Sequence, residues 1–573
     1  MVELLPMDFV RKIYNFLTNG NDDVNFYCMC VQNRNREAAT NSPIKFALNL
    51  IKINIVCRLP FAKNRLFSKE IGKDFLSGLF VRPTITEIAS GILDNNELIF
   101  DLYGCCFTTV RDKYEIFKMI EKTIGIYGFA EKRMSLENKG LTLDVIYKQL
   151  SKHFLTEIDE KFELRLMEKH LFRNNYIIRL IDIAKYNDMK ITAVDNSPYP
   201  RNFTEQIMDR FSIYADRLIF LSGNPDELSH TKSESPQATA ILSSDYNGFI
   251  KRFLKLGCKP FYYRNPKTLM QKVRHPKLDK NFCDIYDGLS GIRLFDGIKR
   301  RSFCYELAYL CVAPAVIGFA KKVAEHIKNN EKMICLCEEN SVFVRVFKIF
   351  CKSDNIVYFP WSALASSKYK PIDTWVEIIK ETPVFDYAYS GIFDSCMRYP
   401  IADTKKSTQM LARVMATAWK DKSSDYTNEV VLRLCQGADN ITVVSPIPGK
   451  YAAFEFCQII NSVNKNASYT SYNISNYLNC SNDRLKLLAE IIKGNDPYLA
   501  QIQKDKLSWV YSKKLSTTIL QEMYSAVIDF AKDVYDYENR SGESVKISGS
   551  DASALFNECY ENVLKIMHKE EEI

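Results

Sequence analysis

Short apolar runs alternate with helical repeats over much of this chain. Strands are predicted at residues 98–103, Lys190–Val194, Arg217–Leu221, Ala240–Ser243 and Lys259–Tyr263. Amphipathic helices are predicted at Tyr114–Ile124, Leu143–Leu155, Phe203–Arg210 and Gly248–Leu256. This alternation predicts an α/β fold with a parallel sheet. The helical block after the first strand, residues 110–186, is too long for one crossover and is predicted to cap one sheet edge.

A second alternating region follows. A long helix, Tyr305–Lys328, leads into predicted strands at Lys332–Cys337, Ile356–Phe359 and Asn440–Ser445, with helices at Ser341–Phe350 and Tyr451–Ser462. Both ends of the chain have helical spacing without strand signals. Four regions are therefore predicted: a helical N-terminal region (1–95), a capped α/β domain (96–285), a second Rossmann-like α/β domain (286–480) and a helical C-terminal region (481–573).

Charge gives little support to a nucleic-acid partner. The 573 residues include 77 Lys and Arg against 69 Asp and Glu, a net charge of +8. The basic residues are scattered, with only small clusters such as Lys299–Arg301, and they form no arm or stripe of the kind that follows a phosphate backbone. We therefore expect solvated charged faces and no nucleic-acid binding.

The cysteines and the apolar segments indicate a reducing, non-membrane setting. Seventeen cysteines occur, none in a C-x-x-C pair, and most lie in apolar runs as buried free thiols do. The first residues, Met1–Pro6, lack the features of a secretion signal. The longest apolar stretch, Cys311–Ala320, is too short to span a bilayer. These patterns predict a cytoplasmic protein without a membrane span.

The most informative stretch for chemistry is Leu-Ile-Phe-Asp-Leu-Tyr-Gly-Cys at residues 98–105. An apolar strand ends in Asp101, and Gly104 then allows the backbone to turn. Ligands and catalytic groups collect at the carboxyl ends of strands in open α/β sheets. A carboxylate there can act as a nucleophile or bind Mg²⁺, and the alternative is a strand followed by an ordinary turn.

From residue 98 to the C-terminus the sequence resembles the haloacid dehalogenase superfamily, and more narrowly its predicted hydrolases encoded with bacterial surface-polysaccharide genes. Residues 98–105 resemble the superfamily's first motif. Segments 128–133 and 141–147 resemble the cap, and segments 305–309 and 313–319 resemble the entry to the second domain. The resemblance implies a Mg²⁺-dependent site with Asp101 as the nucleophile. Tyr103 stands where phosphatases of the superfamily carry a proton-donating Asp.

The remaining motif positions are partly filled. In the second motif the hydroxyl position falls on Val194, so Ser197 is the candidate substitute for binding the phosphoryl group. His230-Thr231-Lys232-Ser233 resembles the third motif, which makes Lys232 the candidate charge neutraliser and His230 a candidate substrate contact; the alternative is a solvated loop. Asp245 resembles the metal ligand of the fourth motif. The second acidic position of that motif holds Phe249 and Ile250 instead.

Two functions remain open at this point. The first is a hydrolase or phosphotransferase with a degenerate site that acts on a phosphorylated sugar or glycan precursor. The second is an inactive binding or scaffold protein in glycan assembly, because a proton donor, a hydroxyl and a carboxylate are missing from the motifs. One missing transition-state hydrogen bond commonly costs about 2.7–4 kcal/mol.

The second α/β region offers weaker signals. Cys335-Leu336-Cys337-Glu338-Glu339 lies at a predicted strand end, where Glu338 or Glu339 is a candidate for binding a sugar hydroxyl or a metal. The alternative is that these carboxylates cap the next helix. Pro448-Gly449 precedes a helix that could receive a phosphate at its N-terminus. The six histidines form no ligand cluster in the sequence.

Overall fold

A computed structural model of the chain divides into two compact units. The described residues up to Arg301, with Tyr537–Val545, form the first unit, and those of Ser302–Asp536, with those from Lys546 onward, form the second. The structure describes residues 55, 89, 91–137, 140–222, 238–245, 249–250, 253, 258–262, 265, 267, 270–271, 276–294, 301–327, 332–337, 339–351, 355–359, 372–373, 376, 409–417, 431–436, 438, 440–446, 452–465, 468–481, 484–485, 488, 491–492, 495–503, 506–513 and 517–558. Nearly all of the predicted N-terminal helical region, 1–95, lies outside them.

The first unit is built on a five-stranded parallel sheet, which confirms the α/β prediction. Its order is β5-β4-β1-β6-β7, with Asp101 opposite Val194 in the β1–β4 register. The strands are β1 (Glu97–Asp101), β4 (Lys190–Asp195), β5 (Arg217–Phe220), β6 (Thr239–Ser243) and β7 (Lys259–Tyr262).

The central strand is apolar on both faces because both faces of the sheet are covered. Leu98 and Phe100 join one apolar cluster, while Ile99 joins another with Val194 and Ile241. Successive side chains of a strand point to opposite faces, so a strand buried on both sides is a continuous apolar run. This is the pattern from which the strand was predicted.

The chain order creates a switch point next to β1. After β1 the chain forms β4 and then β5 on one side, and it returns to form β6 and β7 on the other. The connections that leave β1 and β6 therefore diverge at the carboxyl edge of the sheet. Crevices outside such switch points are where α/β sheets bind ligands.

A helical insert leaves the sheet directly after β1. A single π-helical turn, Leu102–Cys106, leads into the short strand β2 (Phe107–Thr109), which pairs antiparallel with β3 (Leu171–Arg173). Four helices lie between these strands: α1 (Lys113–Ile124), α2 (Phe129–Glu137), α3 (Leu143–Phe154) and α4 (Lys161–His170). We call this insert, residues 110–170, the cap.

The cap was predicted to extend to residue 186, and the structure ends it earlier. Helix α5 (Asn175–Tyr186) follows β3 and leads into β4, so it is a crossover of the sheet. The sequence pattern missed the boundary because three-residue strands are too short to show an alternation. Helices α6 (Arg201–Phe211) and α7 (Lys280–Leu294) complete the regular elements described for this unit up to Arg301.

A buried ion pair holds the cap helices together. The Arg133 guanidinium donates to both oxygens of Glu163, at 2.8 and 2.6 Å, and both side chains are fully buried. The Tyr147 hydroxyl donates to Glu163 at 3.0 Å, and Arg133 lies 4.6 Å from the centre of the Phe117 ring. Residues of all four cap helices thus meet at this pair, since Glu163 belongs to α4 and Tyr147 to α3.

The second unit contains a four-stranded parallel sheet of order β11-β10-β8-β9. Its strands are β8 (Lys332–Cys335), β9 (Ile356–Tyr358), β10 (Asn440–Ser445) and β11 (Ser468–Asn473). Three of the four were predicted. Strand β11 was missed because its sequence, Ser-Tyr-Thr-Ser-Tyr-Asn, is polar and mostly exposed. Its described helices are α8 (Phe303–Leu307), α9 (Ala313–His326), α10 (Val342–Phe350), α11 (Ala452–Val463) and α12 (Ile474–Tyr477), with a π-helical turn, Ala308–Val312, between the first two.

The apolar helix of this unit is longer than the stretch noted in the sequence. Phe303–His326 has 24 residues, long and apolar enough to cross a membrane by length and composition, and 89% of its most apolar window is buried inside the protein. Such burial is typical of a core helix, and this is the one candidate span among the described residues.

Of the described cysteines, eleven are free and Cys311 is disulfide-bonded.

The C-terminal region was predicted to be helical throughout, but the structure contains two strands there. Strands β12 (Asn495–Gln503) and β13 (Lys506–Lys513) pair antiparallel before helix α13 (Thr517–Ser541). The helical prediction for 481–573 is therefore wrong for these two strands and right for α13.

Candidate functional site

Asp101 ends β1 and anchors the site. Its carboxylate accepts the backbone N–H of Gly104 at 3.0 Å on Oδ1 and the Ser243 hydroxyl at 3.0 Å on Oδ2. The side chain is 3% exposed. A Cβ on Gly104 would lie 2.3 Å from Asp101 Oδ2, so only glycine fits this turn. The position of the Asp101 carboxylate therefore requires glycine at residue 104.

The end of β6 brings the backbone of a second acidic residue to the same place. Ser243 Oγ donates to Asp101 and accepts the backbone N–H of Asp245 at 2.9 Å. The Ser244 hydroxyl donates to the carbonyl of Gly104 at 2.5 Å, which ties the two strand ends together. The Ser243 hydroxyl therefore links the carboxylate of Asp101 to the backbone of Asp245, two residues predicted as a pair from motifs 144 residues apart.

The environment of Asp101 disfavours its ionised form. Burial raises the pKa of Asp101 from 3.8 to about 6, although the hydrogen bonds from Gly104 and Ser243 oppose the shift. The nearby carboxylates of Asp245 and Asp195 raise the pKa further. At neutral pH Asp101 is ionised, and a nearby cation would relieve the repulsion among these carboxylates.

A second polar group lies at the end of β4, the neighbouring strand. Asp195 accepts the backbone N–H of Ser197 and the Thr204 hydroxyl, each at 2.7 Å. The Tyr103 hydroxyl lies 3.2 Å from Thr204 Oγ1. Because Thr204 donates its proton to Asp195, Tyr103 donates to Thr204. Burial raises the pKa of Asp195 and also that of Tyr103.

The predicted site residues therefore separate into two neighbouring groups. Asp101 and Asp245 meet at the switch point, and Tyr103 and Ser197 lie with Asp195. Ser197 is 6% exposed, and its hydroxyl accepts the backbone N–H of Tyr199 at 3.3 Å. His230 and Lys232 lie outside the described residues.

Three apolar residues at the predicted motif positions are buried in the core. Val194 and Phe249 are buried in one apolar cluster on the sheet, and Ile250 is fully buried as well. The backbone N–H groups of Phe249 and Ile250 donate to the Asp245 carbonyl, at 3.3 and 3.0 Å. Phe249 and Ile250 therefore serve packing.

The donor set suits Mg²⁺ better than a metal with a protein cage. Among the described residues no three His, Cys, Asp or Glu side chains are grouped as for a metal ion. Mg²⁺ is commonly bound by one or two carboxylates together with substrate phosphates and water. Asp101 and Asp245, which is near enough to raise the pKa of Asp101, are the candidates for such a pair, with the backbone carbonyl of Tyr103 as a further candidate ligand. The residues present fit a Mg²⁺ ion that is also bound by a substrate phosphate. They do not form a site that would hold Mg²⁺ without substrate.

Three residues of the site were missed in the sequence. Ser243 was assigned only to a strand, and Asp195 and Thr204 were given no role. A carboxylate that follows the buried run Ile191–Val194 is the same signal that identified Asp101, so Asp195 could have been found by it. Ser243 and Thr204 carry no such signal, because their role depends on partners 142 and nine residues away.

The second unit has its own strand end with polar groups. Cys335 Sγ and Cys337 Sγ are 3.3 Å apart, and the Ser341 hydroxyl lies 3.3 Å from Cys337 Sγ. Ser341 caps α10 by accepting the backbone N–H of Val344. Glu339 instead pairs with Lys348 at 3.4 Å on the surface. The capping role that was considered for Glu338 or Glu339 therefore belongs to Ser341. Glu338 and Pro448-Gly449 lie outside the described residues.

The raised pKa of Asp101 predicts a pH dependence of stability. Between about pH 3.8 and pH 6 the folded protein retains a proton on Asp101 that the unfolded chain releases, so rising pH lowers the free energy of unfolding. Asp101→Asn removes this dependence. Relative to wild type, the variant is expected to gain roughly 2.4 kcal/mol between pH 4 and pH 7.5 in urea unfolding. Wild-type and variant curves that stay parallel across this range would contradict the shift; Asp182→Asn, on the exposed face of α5, is the control.

No protein-family model matches the chain, and no curated protein matches it.

Proposed function

We propose that the first unit is a phosphohydrolase or phosphotransferase of the haloacid dehalogenase type that acts on a phosphorylated sugar or glycan precursor. The observation that carries the proposal is the Asp101–Ser243–Asp245 group at the switch point of the sheet. The cap, inserted directly after the Asp101 turn, supports it further, because a cap beside the site selects substrates and excludes water. The link to glycans depends on the sequence resemblance alone.

Asp101 has the geometry of a nucleophile. Its hydrogen bonds from Gly104 and Ser243 fix the carboxylate plane, and each oxygen keeps a lone pair for reaction. In the proposed reaction a carboxylate oxygen attacks phosphorus, the bond from phosphorus to the ester oxygen breaks, and an aspartyl phosphate forms. Water then attacks the phosphorus of the aspartyl phosphate, the bond from phosphorus to the Asp101 oxygen breaks, and inorganic phosphate leaves with the Asp101 carboxylate restored. A Mg²⁺ ion bound by Asp101 and Asp245 would act as a Lewis acid on the phosphoryl oxygens.

Protonation of the leaving oxygen is the weak step. Tyr103, which stands at the proton-donor position, donates its hydroxyl proton to Thr204. A leaving alkoxide therefore has to take its proton from water, and esters of acidic alcohols should react best. We predict that an aryl phosphate is turned over at least about 100-fold faster than a sugar phosphate, the size of a typical general-acid contribution.

The test is steady-state turnover by the full chain of p-nitrophenyl phosphate and a panel of sugar phosphates, with Mg²⁺ and with chelator. Magnesium-dependent turnover of the aryl ester supports the proposal. Absence of turnover on every ester contradicts the enzymatic function. Equal kcat/KM values for aryl and sugar esters would show that a proton donor other than water assists the leaving oxygen, and would refute the role given to Tyr103.

A binding or scaffold function is the second candidate, and one observation favours it. Phe249 and Ile250 occupy the place of a metal-binding carboxylate, and both Asp101 oxygens already accept hydrogen bonds. Calorimetric titration with Mg²⁺ and inorganic phosphate distinguishes the two functions. Mg²⁺ binding that Asp245→Asn abolishes favours the enzyme; phosphate binding without Mg²⁺ dependence and without turnover favours the binding protein.

A further inference from the structure

The cap is joined to the sheet by two neighbouring chain connections. The chain leaves β2 through Val110–Asp112 and returns from α4 through His170 into β3. Because β2 and β3 pair antiparallel, with Thr109 opposite Leu171, the two connections lie side by side. Any movement of the cap as one body must turn at these two points.

A C-terminal segment contacts the outgoing connection. Arg111 donates from Nε and Nη2 to the two carboxylate oxygens of Glu543, each at 3.2 Å. The Tyr537 hydroxyl donates to the same carboxylate. The Arg111 side chain is 9% exposed and that of Glu543 21%, so the pair is largely shielded from water. Arg111 also donates to the carbonyl of Asn281 at 3.4 Å.

The same segment contacts the returning connection. Arg540 donates to the backbone carbonyls of Glu168, at 3.2 Å, and Leu171. Its guanidinium lies 4.5 Å from the centre of the Phe172 ring. Glu168 is in the last turn of α4, where a cation is favourable for the helix dipole. The buried His170 ring lies 5.8 Å from the ring of Tyr537, so the segment covers the whole return from α4 into β3.

The cap is docked on the sheet in this arrangement. The backbone N–H of Leu143, at the start of α3, donates to the carbonyl of Pro198 at 2.8 Å. Pro198 belongs to the loop after β4 that also carries Ser197 and Tyr199. The Tyr199 ring lies 5.4 Å from that of Tyr103. This hydrogen bond between the cap and the sheet is far in sequence from the two connections. Exchange of the Leu143 amide therefore reports whether the cap is docked, separately from the local opening of the connections.

We propose that Tyr537–Val545 is a strap that holds the cap docked by fixing both of its connections at once. Its side chains reach Arg111 on one connection and Leu171 on the other, about 370 to 430 residues away in sequence. Release of the strap frees both turning points and lets the cap leave the Pro198 loop. Control of substrate entry to Asp101 by this movement rests on the proposed function. The docking of the cap by the strap does not depend on that function.

Hydrogen exchange of the full chain tests the strap without any substrate. In the double variant Arg540→Ala/Glu543→Gln, exchange is expected to rise at least about tenfold at residues 107–112, at 168–173 and at the Leu143 amide. Amides in the middle of α1 and α3 should keep their wild-type protection, because the cap moves as one body around the Arg133–Glu163 pair. Asn539→Ala, an exposed position of the same helix, is the matched control and should change none of these segments.

Two results would overturn the inference. Faster exchange at the connections with an unchanged Leu143 amide would make the segment a local fastening that does not hold the cap. Unchanged exchange everywhere would remove even that role. If the double variant loses protection throughout the unit, the single variant Arg540→Lys replaces it in the test, because lysine keeps the positive charge but lacks the two-pronged guanidinium. Faster exchange of the Leu143 amide in this variant supports the strap, and unchanged exchange of that amide overturns it. If the wild-type protein turns over no ester while the double variant shows the expected exchange changes, the proposed enzyme fails and the strap stands.

Discussion

Replacement of Asp101 by asparagine is expected to lower the turnover of p-nitrophenyl phosphate at least about 10³-fold, because a carboxamide cannot form the aspartyl phosphate. The substitution keeps the shape of the side chain and an oxygen that accepts the Gly104 N–H. The folded structure should therefore be retained, and circular dichroism with urea unfolding checks this. The loss should appear in kcat as well as in kcat/KM, since the missing step is chemical.

The control for this prediction is Asp182→Asn, which changes an exposed carboxylate on α5 and should leave turnover unchanged. Asp245→Asn should lower turnover and weaken its dependence on Mg²⁺ concentration. Full activity of the Asp101→Asn protein would exclude Asp101 as the nucleophile. Activity would then have to arise elsewhere in the chain, and the switch point would lose its proposed role.

The largest expected effect on stability concerns the cap. Glu163→Gln removes the charge that Arg133 pairs with in a fully buried setting. Breaking a buried pair leaves an uncompensated charge and typically costs about 3–5 kcal/mol, so the free energy of unfolding should fall by this amount. Glu137, which also pairs with Arg133 at 2.5 Å, should keep the loss near the lower end. Urea unfolding followed by far-UV circular dichroism measures it.

The exposed pair Arg201–Glu205 is the matched comparison. Its side chains are 70% and 48% exposed, and Glu205→Gln should change stability by less than about 0.5 kcal/mol. Replacing Arg133 and Glu163 together by methionine should restore much of the stability, because two apolar chains leave no buried charge unpaired. Equal effects of Glu163→Gln and Glu205→Gln would show that the buried pair is solvated in solution and does not hold the cap.

The sheets were largely predictable because their strands are buried on both faces. The side chains of runs such as Leu98–Phe100 and Ile441–Val444 are removed from water only when both faces of the sheet are covered. The elements that were missed lack this signal. Strands β2 and β3 have three residues each, and β11 is polar on a sheet edge. Their positions depend on pairing partners, which a linear pattern does not contain.

The site was predictable in part for the same reason. Asp101 and Asp245 follow apolar strands, and strand ends are where parallel sheets place functional groups. Ser243 was not predicted, although it connects them, because a serine that ends a strand has no distinct pattern. The strap was also missed. Arg540 and Glu543 belong to an ordinary polar helix end, and only the tertiary fold brings them to Leu171 and Arg111.

The central claim is that Asp101 and Asp245 form one Mg²⁺-dependent phosphoryl site, and fluoroberyllate binding tests it most directly. Fluoroberyllate bound to an aspartate imitates an aspartyl phosphate, and ¹⁹F NMR detects it without requiring turnover. The wild-type protein should show a protein-bound fluorine signal that needs Mg²⁺ and disappears in Asp101→Asn and Asp245→Asn. No bound signal in the wild-type protein, or the same signal in the Asp101→Asn protein, would contradict the claim.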